Sequence, residues 1–120
     1  PKQWYVVPPH EAGRVEDVCD NEFPDEAKRC QHFLRHKTAV ASPSLLLSHG
    51  VRVYGVRQYP GEMLVTLPRA YHFGFNYGFN VAEAVNFATP EWFPLGRSAK
   101  RCTCRAGRGG VFIDVASVEQ

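Results

Sequence analysis

Short runs of aromatic and β-branched residues, separated by proline and glycine, constrain the fold of this chain more than any other feature of its sequence. The first run, Trp4–Val7, is stopped by Pro8 and Pro9, and similar runs follow at 51–58, 63–67, 71–75, 79–87 and 111–115. Runs of this length that end at turn residues are typical of β-strands. Pro60-Gly61, between two of the runs, is typical of a tight turn. The sequence therefore predicts an antiparallel sheet of short strands.

Helices are predicted among these strands, over 9–23, 25–33, 43–48 and from 90 towards 100. Val15 and Val18 lie three residues apart, on one face of the first helix. Ser42 is placed to cap the third helix, which has proline at its first position. Short strands with tight turns, prefaced by helices, are typical of half of a sandwich or jelly roll. A jelly roll needs about eight strands, so we expect the missing ones to precede Pro1.

Length, composition and charge limit the classes of protein to which this chain can belong. At 120 residues, with 44% hydrophobic and 22% charged residues, it suits one soluble domain or a large piece of one. A net charge of +2 is too mild to indicate nucleic-acid binding by itself. No apolar run approaches the roughly 20 residues of a membrane span, and no signal peptide opens the sequence. Because the sequence begins with Pro1 rather than Met, we expect a processed or incomplete chain.

The cysteines are expected to be thiols or metal ligands, which favours an intracellular protein, because no secretory signal accompanies them. Cys102 and Cys104 are two residues apart, so both face one side of an extended chain. With Cys30 and His36 they offer a possible Cys3His tetrahedron for zinc. The alternative is a set of unrelated buried thiols and a surface histidine. Cys19 is expected to pack within its helix.

Two further residues could serve an active site, and each has a simpler interpretation. His72 shares its strand with aromatic residues and with Gly74 and Gly78, a setting that suits a metal-bound imidazole. A hydrogen-bonded core histidine is the alternative. Lys2, beside Trp4, could anchor a dicarboxylate or be an ordinary exposed lysine. No His-x-Asp or His-x-Glu occurs in the sequence, so this chain alone cannot complete a two-histidine, one-carboxylate facial triad.

A basic strip occurs late in the sequence. It comprises Arg97-Ser98-Ala99-Lys100-Arg101, followed by Arg105 and Arg108. A solvated face is the ordinary interpretation of such a strip, and a phosphate-binding role is the alternative.

Five ordered blocks of the sequence resemble successive blocks of the JmjC histone lysine demethylases. The first block, PKQWYVVPP at 1–9, resembles the strand that follows the iron-binding His-x-Glu of that family. The others are FLRHK at 33–37, GEMLVTLP at 61–68, YHFGFNYGFN at 71–80 and AEAVNFATPEW at 82–92. The resemblance implies a mainly β fold with flanking helices, a partial double-stranded β-helix of the cupin-like jelly-roll type.

The resemblance also implies a role for each matching residue. His72 falls on an iron ligand, Lys2 on the lysine that pairs with the far carboxylate of 2-oxoglutarate, and Trp4 on the wall of that pocket. Residues bordering the methyl-lysine are matched by Lys37, Ala84 and Asn86. A structural zinc site, which marks the subfamily that demethylates trimethyl-lysines, is matched by Cys30, His36, Cys102 and Cys104.

By the same resemblance, residues 1–120 are expected to be the C-terminal portion of a single JmjC domain. Within it, 1–50 would hold a strand and a helical insert, 51–90 the jelly-roll strands, and 91–120 a helix and a zinc-binding tail. Phe73 departs from the family pattern, since a small residue usually follows the iron-binding histidine.

The function implied by the resemblance is that of a nuclear, Fe(II)- and 2-oxoglutarate-dependent dioxygenase. Its substrate would be an N-methylated lysine of the histone H3 tail, at position nine or thirty-six, from which formaldehyde is lost. The fragment alone lacks the proximal His-x-Asp/Glu and is expected to be inactive. The alternatives are a catalytically inactive module that binds chromatin or protein, a demethylase of histone H3 lysine four, and a protein hydroxylase. Residues 83–97 resemble the lysine-four demethylases. Neither membrane binding nor sequence-specific nucleic-acid binding is expected.

Overall fold

The computed structural model describes residues 1–104 and 113–118. Three strands form among these residues, β1 (Lys2–Val7), β2 (Tyr54–Gln58) and β3 (Tyr71–Asn76). Five α-helices form in the described ranges, α1 (Ala12–Glu22), α2 (Pro24–Arg29), α3 (Pro43–Ser48), α4 (Phe93–Ser98) and α5 (Val115–Val118). Short 3-10 helices cover Pro9–Glu11, Phe33–His36 and Pro90–Trp92. No helix in these ranges is both long enough and apolar enough to cross a bilayer.

The chain divides into two compact units. The first unit comprises Pro1–Glu22 and Val40–Glu83. The second unit comprises Phe23–Ala39 and the described residues from Ala84 onwards.

The first unit is built on an antiparallel sheet in the order β2-β1-β3. The central strand places Val6 opposite His72, Trp4 opposite Gly74 and Lys2 opposite Asn76. A Cβ atom on Gly74 would collide with the carbonyl oxygen of Gln3, so only glycine allows β1 and β3 to approach this closely. The close pairing of β1 with β3 therefore depends on this residue.

The two faces of the sheet have different neighbours, because side chains alternate along each strand. Tyr71 and Val7 share one face, where the Tyr71 hydroxyl donates a hydrogen bond to Glu16 of α1 at 3.0 Å. Val7 is fully buried there. We call the opposite face the Trp4 face; it carries Lys2, Trp4 and His72.

The helices α1 and α3 supply much of the core of the first unit, with Leu46 of α3 buried like Val7 of β1. Val15, Val18 and Cys19 of α1 are buried at the spacing of one helical face, as the sequence predicts. Ser42 caps α3, since its hydroxyl accepts a hydrogen bond from the backbone N–H of Leu45 at 3.2 Å. Both helices are confirmed.

The second unit contains α2, α4, α5 and the 3-10 helices Phe33–His36 and Pro90–Trp92. Phe33 is buried and meets Phe23 edge to face, with 6.2 Å between ring centroids. Gly96 of α4 lies under the ring of Trp92, where a Cβ atom would approach a ring carbon to 2.5 Å. Trp92 is therefore packed onto α4, the helix that follows it.

Some of the predicted strands do not form. Residues 63–67 and 79–87 have no regular secondary structure, and Met63 and Phe79 are 93% and 100% exposed. The physical reason is pairing, since β2 and β3 occupy both edges of β1 and no described strand pairs with their outer edges. The predicted helix over 25–33 ends earlier, at Arg29. Of the strand predicted over 111–115, residues 111 and 112 lie outside the described part, and Val115 begins α5.

Candidate functional site

Cys30, His36, Cys102 and Cys104 form a cluster in the second unit, with their ligand atoms all within 4.8 Å of one another. The Cys102 sulfur lies 3.4 Å from the Cys30 sulfur, 3.0 Å from the Cys104 sulfur and 3.2 Å from His36 Nε2. His36 Nε2 also lies 3.2 Å from the Cys104 sulfur. All four cysteines of the chain lie in the described part, and none of them forms a disulfide. The sequence-predicted zinc ligands are thus brought together in space.

Local structure brings the four donors together. Cys30 is the extended residue that ends α2, with φ −155°, and His36 is the last residue of the next 3-10 helix. Cys102 and Cys104 follow α4 in a segment without regular secondary structure and are both half-buried. The hydrogen bond with Cys104, together with burial, raises the pKa of the Cys102 thiol to about 11.

The cluster fits a zinc ion by donor type and by geometry. Three sulfurs and one imidazole are a ligand set that structural zinc sites use. Tetrahedral Zn–S bonds of ~2.3 Å place neighbouring sulfurs about 3.8 Å apart. The sulfurs of Cys102 and Cys104, which lie 3.0 Å apart, would therefore separate by roughly 0.8 Å around the ion. Four protein ligands leave no open position, so such a site holds the fold and does no chemistry.

The other predicted site residues of the first unit meet on the Trp4 face. The rings of Trp4 and His72 lie 5.9 Å apart, tilted by 49°. The Lys2 ammonium lies over the Trp4 ring, 4.3 Å from its centroid. Gly74 lies between His72 and Asn76 on β3, close against the backbone of Gln3. The face therefore offers a cation, an aromatic wall and an imidazole.

Gln58 is a residue of this face that the sequence analysis missed. Its Oε1 accepts a hydrogen bond from the indole N–H of Trp4 at 2.8 Å, and its backbone pairs opposite Lys2. The bond fixes the plane of the ring on which Lys2 rests. The only signal in the sequence is a polar residue at the end of a predicted strand, and the register that brings it to Trp4 cannot be deduced from that.

His72 can offer one nitrogen to a metal. The side chain is exposed, and its Nδ1 lies 3.3 Å from the Ala70 carbonyl oxygen. An Nδ1–H that donates to this carbonyl leaves the lone pair of Nε2 for a metal. Neither a second histidine nor a carboxylate stands on the Trp4 face of the three strands. His72 could thus be one of the three protein ligands of a facial triad, and the described residues do not fit iron without two more.

The three residues predicted to border the methyl-lysine lie in the second unit. Lys37 ends the 3-10 helix Phe33–His36 in the left-handed conformation, with φ 58°. Ala84 and Asn86 lie in an exposed segment without regular secondary structure. Each of the three is exposed, so their role stays a prediction.

Comparison with known proteins gives a family for the chain. A family model described as "JmjC domain, hydroxylase" matches residues 1–87. Lysine-specific demethylase 4D of Rattus norvegicus is 46% identical over 114 residues, which are 95% of this chain and 22% of that protein. Probable lysine-specific demethylase 4F of Homo sapiens is 47% identical over 108 residues, 90% of this chain and 17% of that protein. Lysine-specific demethylase 4B of Mus musculus is 42% identical over 115 residues, 96% of this chain and 11% of that protein.

These matches confirm the resemblance found in the sequence. They also confirm the expected fold class, a partial cupin-like jelly roll with flanking helices. The three-stranded sheet is the β part of this fold. The chain spans between 11% and 22% of the length of these relatives. Since the family model covers nearly three quarters of its residues, the chain belongs to the JmjC domain family.

Proposed function

We propose that this chain is part of a histone lysine demethylase that depends on Fe(II) and 2-oxoglutarate and removes N-methyl groups from lysine nine or thirty-six of histone H3. The observation that carries the proposal is the meeting of Lys2, Trp4 and His72 on one face of the sheet. Identities of 42–47% to three lysine-specific demethylases support the substrate class. The chain would be the C-terminal portion of a single JmjC domain, working in the nucleus on chromatin.

Lys2 and Trp4 would bind and orient 2-oxoglutarate. The Lys2 ammonium is already held over the indole, so it loses little further freedom when it meets a carboxylate. The contact between ammonium and carboxylate is charge-assisted. Trp4 forms the wall beside it, and Gln58 keeps the indole in place.

His72 would hold the metal through Nε2, while its Nδ1–H stays on the Ala70 carbonyl. When bound, Fe(II) and 2-oxoglutarate supply the oxidising chemistry. The remaining histidine and carboxylate would come from a His-x-Asp/Glu of the parent protein that precedes Pro1. A protein consisting of these 120 residues alone would therefore be inactive.

The methylated lysine would be received by Lys37, Ala84 and Asn86. Ala84 has a small side chain, and Asn86 and Lys37 carry polar groups that can orient a peptide. The zinc cluster would act by holding together 30–36 and 102–104, which are far apart in sequence.

The test uses the intact protein with Fe(II), 2-oxoglutarate and histone H3 peptides trimethylated at lysine four, nine or thirty-six. Formaldehyde release from the peptide trimethylated at lysine nine or at lysine thirty-six is the expected result. Release only from the lysine-four peptide would reassign the protein to lysine-four demethylation. Release from none would contradict demethylase activity and favour an inactive binding module or a protein hydroxylase.

A matched pair of variants tests the cofactor contact. Lys2→Gln removes a charge-assisted contact of about 1.5–3 kcal/mol and should raise the KM for 2-oxoglutarate at least about tenfold. Lys28→Gln removes a charge from an exposed position of α2 and should leave that KM unchanged. Equal KM values for the two variants would remove Lys2 from the 2-oxoglutarate site.

A further inference from the structure

The second unit contains a cleft of about 400 Å³ that the proposed oxygenase chemistry does not use. Four of the residues that line it are cations, Arg35, Arg97, Lys100 and Arg101. Asp114 is the one carboxylate among the described lining residues. At neutral pH these five side chains sum to a charge of +3, on a chain whose total net charge is only +2. The positive charge of the protein is thus strongly concentrated here.

The fold assembles this cleft from Arg35 and from segments that begin 57 residues later, at Trp92. Arg35 directly precedes His36, and Arg101 directly precedes Cys102. Because His36 and Cys102 approach to 3.2 Å in the Cys/His cluster, the cations that flank them are brought to one cleft. Three cations of the basic strip, Arg97, Lys100 and Arg101, are therefore joined in the cleft by Arg35, which sequence order does not reveal.

The cations are presented to solvent. Arg35, Arg97, Lys100 and Arg101 are all exposed. In the described part of the chain, neither Arg35 nor Lys100 lies within 4.0 Å of a carboxylate. Exposed cations close together repel one another, and a polyanion that replaces their counterions relieves this repulsion.

We propose that this cleft binds the phosphate backbone of duplex nucleic acid, without recognising its sequence. Several exposed cations along an open cleft match a row of phosphates, which carries one charge per ~1.7 Å of duplex axis. A single-stranded ligand would need a free aromatic face on which bases could stack. Trp92, the one aromatic residue among the described lining residues, packs against Gly96 and meets Phe93 edge to face at 5.9 Å. Its ring is therefore occupied by contacts within the protein rather than free to stack on a base.

This interaction is independent of the demethylase proposal, because it uses none of the residues on the Trp4 face. It also differs from sequence readout, since the described lining residues include neither Asn nor Gln, the side chains that pair with adenine edges. The affinity should depend steeply on salt concentration and little on sequence.

The experiment measures fluorescence anisotropy of labelled duplexes of about 20 base pairs, of several unrelated sequences, with the intact zinc-loaded protein over a range of salt concentrations. The variant Arg35→Gln with Lys100→Gln removes two cations from the cleft. Each lost phosphate contact lowers the salt slope by about 0.9, so the slope should fall by about 2 and the affinity on the order of tenfold or more. Far-UV circular dichroism and zinc content of each variant show whether it is folded.

The matched control, Lys28→Gln with Arg29→Gln, removes one lysine and one arginine from exposed positions of α2 outside the cleft lining. It should keep the wild-type affinity, as should the charge-preserving exchange Arg35→Lys with Lys100→Arg. Equal losses in the cleft variant and the control would overturn the proposal. Stronger binding of a phosphoserine peptide or of vesicles with anionic lipid than of the duplex would also overturn it.

Discussion

At the scale of single residues, the buried carboxylate of Glu11 links the start of α1 to the segment before β2. Glu11 is 3% exposed, and its two oxygens lie 2.9 Å from Arg52 Nε and 3.1 Å from Arg14 Nη1. Arg52 also lies 2.7 Å from His10 Nε2, which accepts its N–H. The hydrogen bond from Arg52 is the main cause that lowers the pKa of Glu11 below its ordinary value of 4.5. A buried charge with two cationic partners is costly to break.

The first prediction concerns acid stability. Because the pKa of Glu11 is lower in the folded chain than in the unfolded chain, its contribution to stability is complete above pH 4.5 and is lost as pH falls through the folded value. We expect Glu11→Gln to lower the melting temperature at pH 7 and to flatten its decline below pH 4.5. Calorimetry at a series of pH values measures both effects. Asp17→Asn, at an exposed position of α1, is the control, and identical behaviour of the two variants would contradict this role of Glu11.

At the scale of elements, the close contact of β1 with β3 determines which residues share the Trp4 face. Gly74 allows the contact, since any Cβ atom there would meet the backbone of Gln3. Gly13 of α1 gives a contrast, because nothing lies within 4 Å of the Cβ atom that it lacks. Glycine is thus required at one position and only tolerated at the other.

The second prediction compares these glycines. Gly74→Ala should force the strands apart and destabilise the fold by about 1–3 kcal/mol or more, as overpacking does. Gly13→Ala should stabilise it by about 0.5–1 kcal/mol, because alanine favours the helix. Urea denaturation of both variants measures the difference. A Gly74→Ala protein as stable as the wild type would contradict the close approach of β1 and β3.

Elements set by local chemistry could be predicted from the sequence, and elements set by distant partners could not. The spacing of Val15 and Val18 predicts α1, and Ser42-Pro43 predicts the start of α3, because both signals act within one turn. Residues 63–67 and 71–75 have equally strand-like sequences, yet only the second pairs with β1. A strand needs a partner edge, and nothing local in the sequence says which run obtains it.

At the scale of the whole molecule, the sequence could name the candidate ligands but could not bring them together by spacing alone. Cys30 and Cys102 are 72 residues apart, so residue type alone made a shared zinc site one of two alternatives, and the resemblance to a family made it the expectation. The same holds for Lys2 and His72, which share a face through the register of β1 and β3. Gln58 was missed because its contact with Trp4 depends on the register of β1 with β2.

The third prediction concerns zinc. Elemental analysis should find about one zinc per chain, since the ligand atoms of the cluster lie within 4.8 Å of one another. Cys102→Ser should abolish zinc binding and reduce stability, because structural zinc sites couple metal binding to folding. Cys19→Ala, which removes a buried thiol outside the cluster, should keep the zinc. A wild-type protein that is well folded but free of metal would contradict the site.

The central claim is that His72 supplies an iron ligand beside Lys2 and Trp4. Formaldehyde release by the complete domain carrying His72→Ala tests this claim most directly. The matched control is His49→Ala, since His49 is an exposed histidine of the same unit whose Nδ1 lies 3.0 Å from the Leu45 carbonyl oxygen. We expect turnover of methylated histone H3 peptide to fall to background in His72→Ala and to stay at the wild-type rate in His49→Ala. Wild-type turnover in His72→Ala would contradict the account.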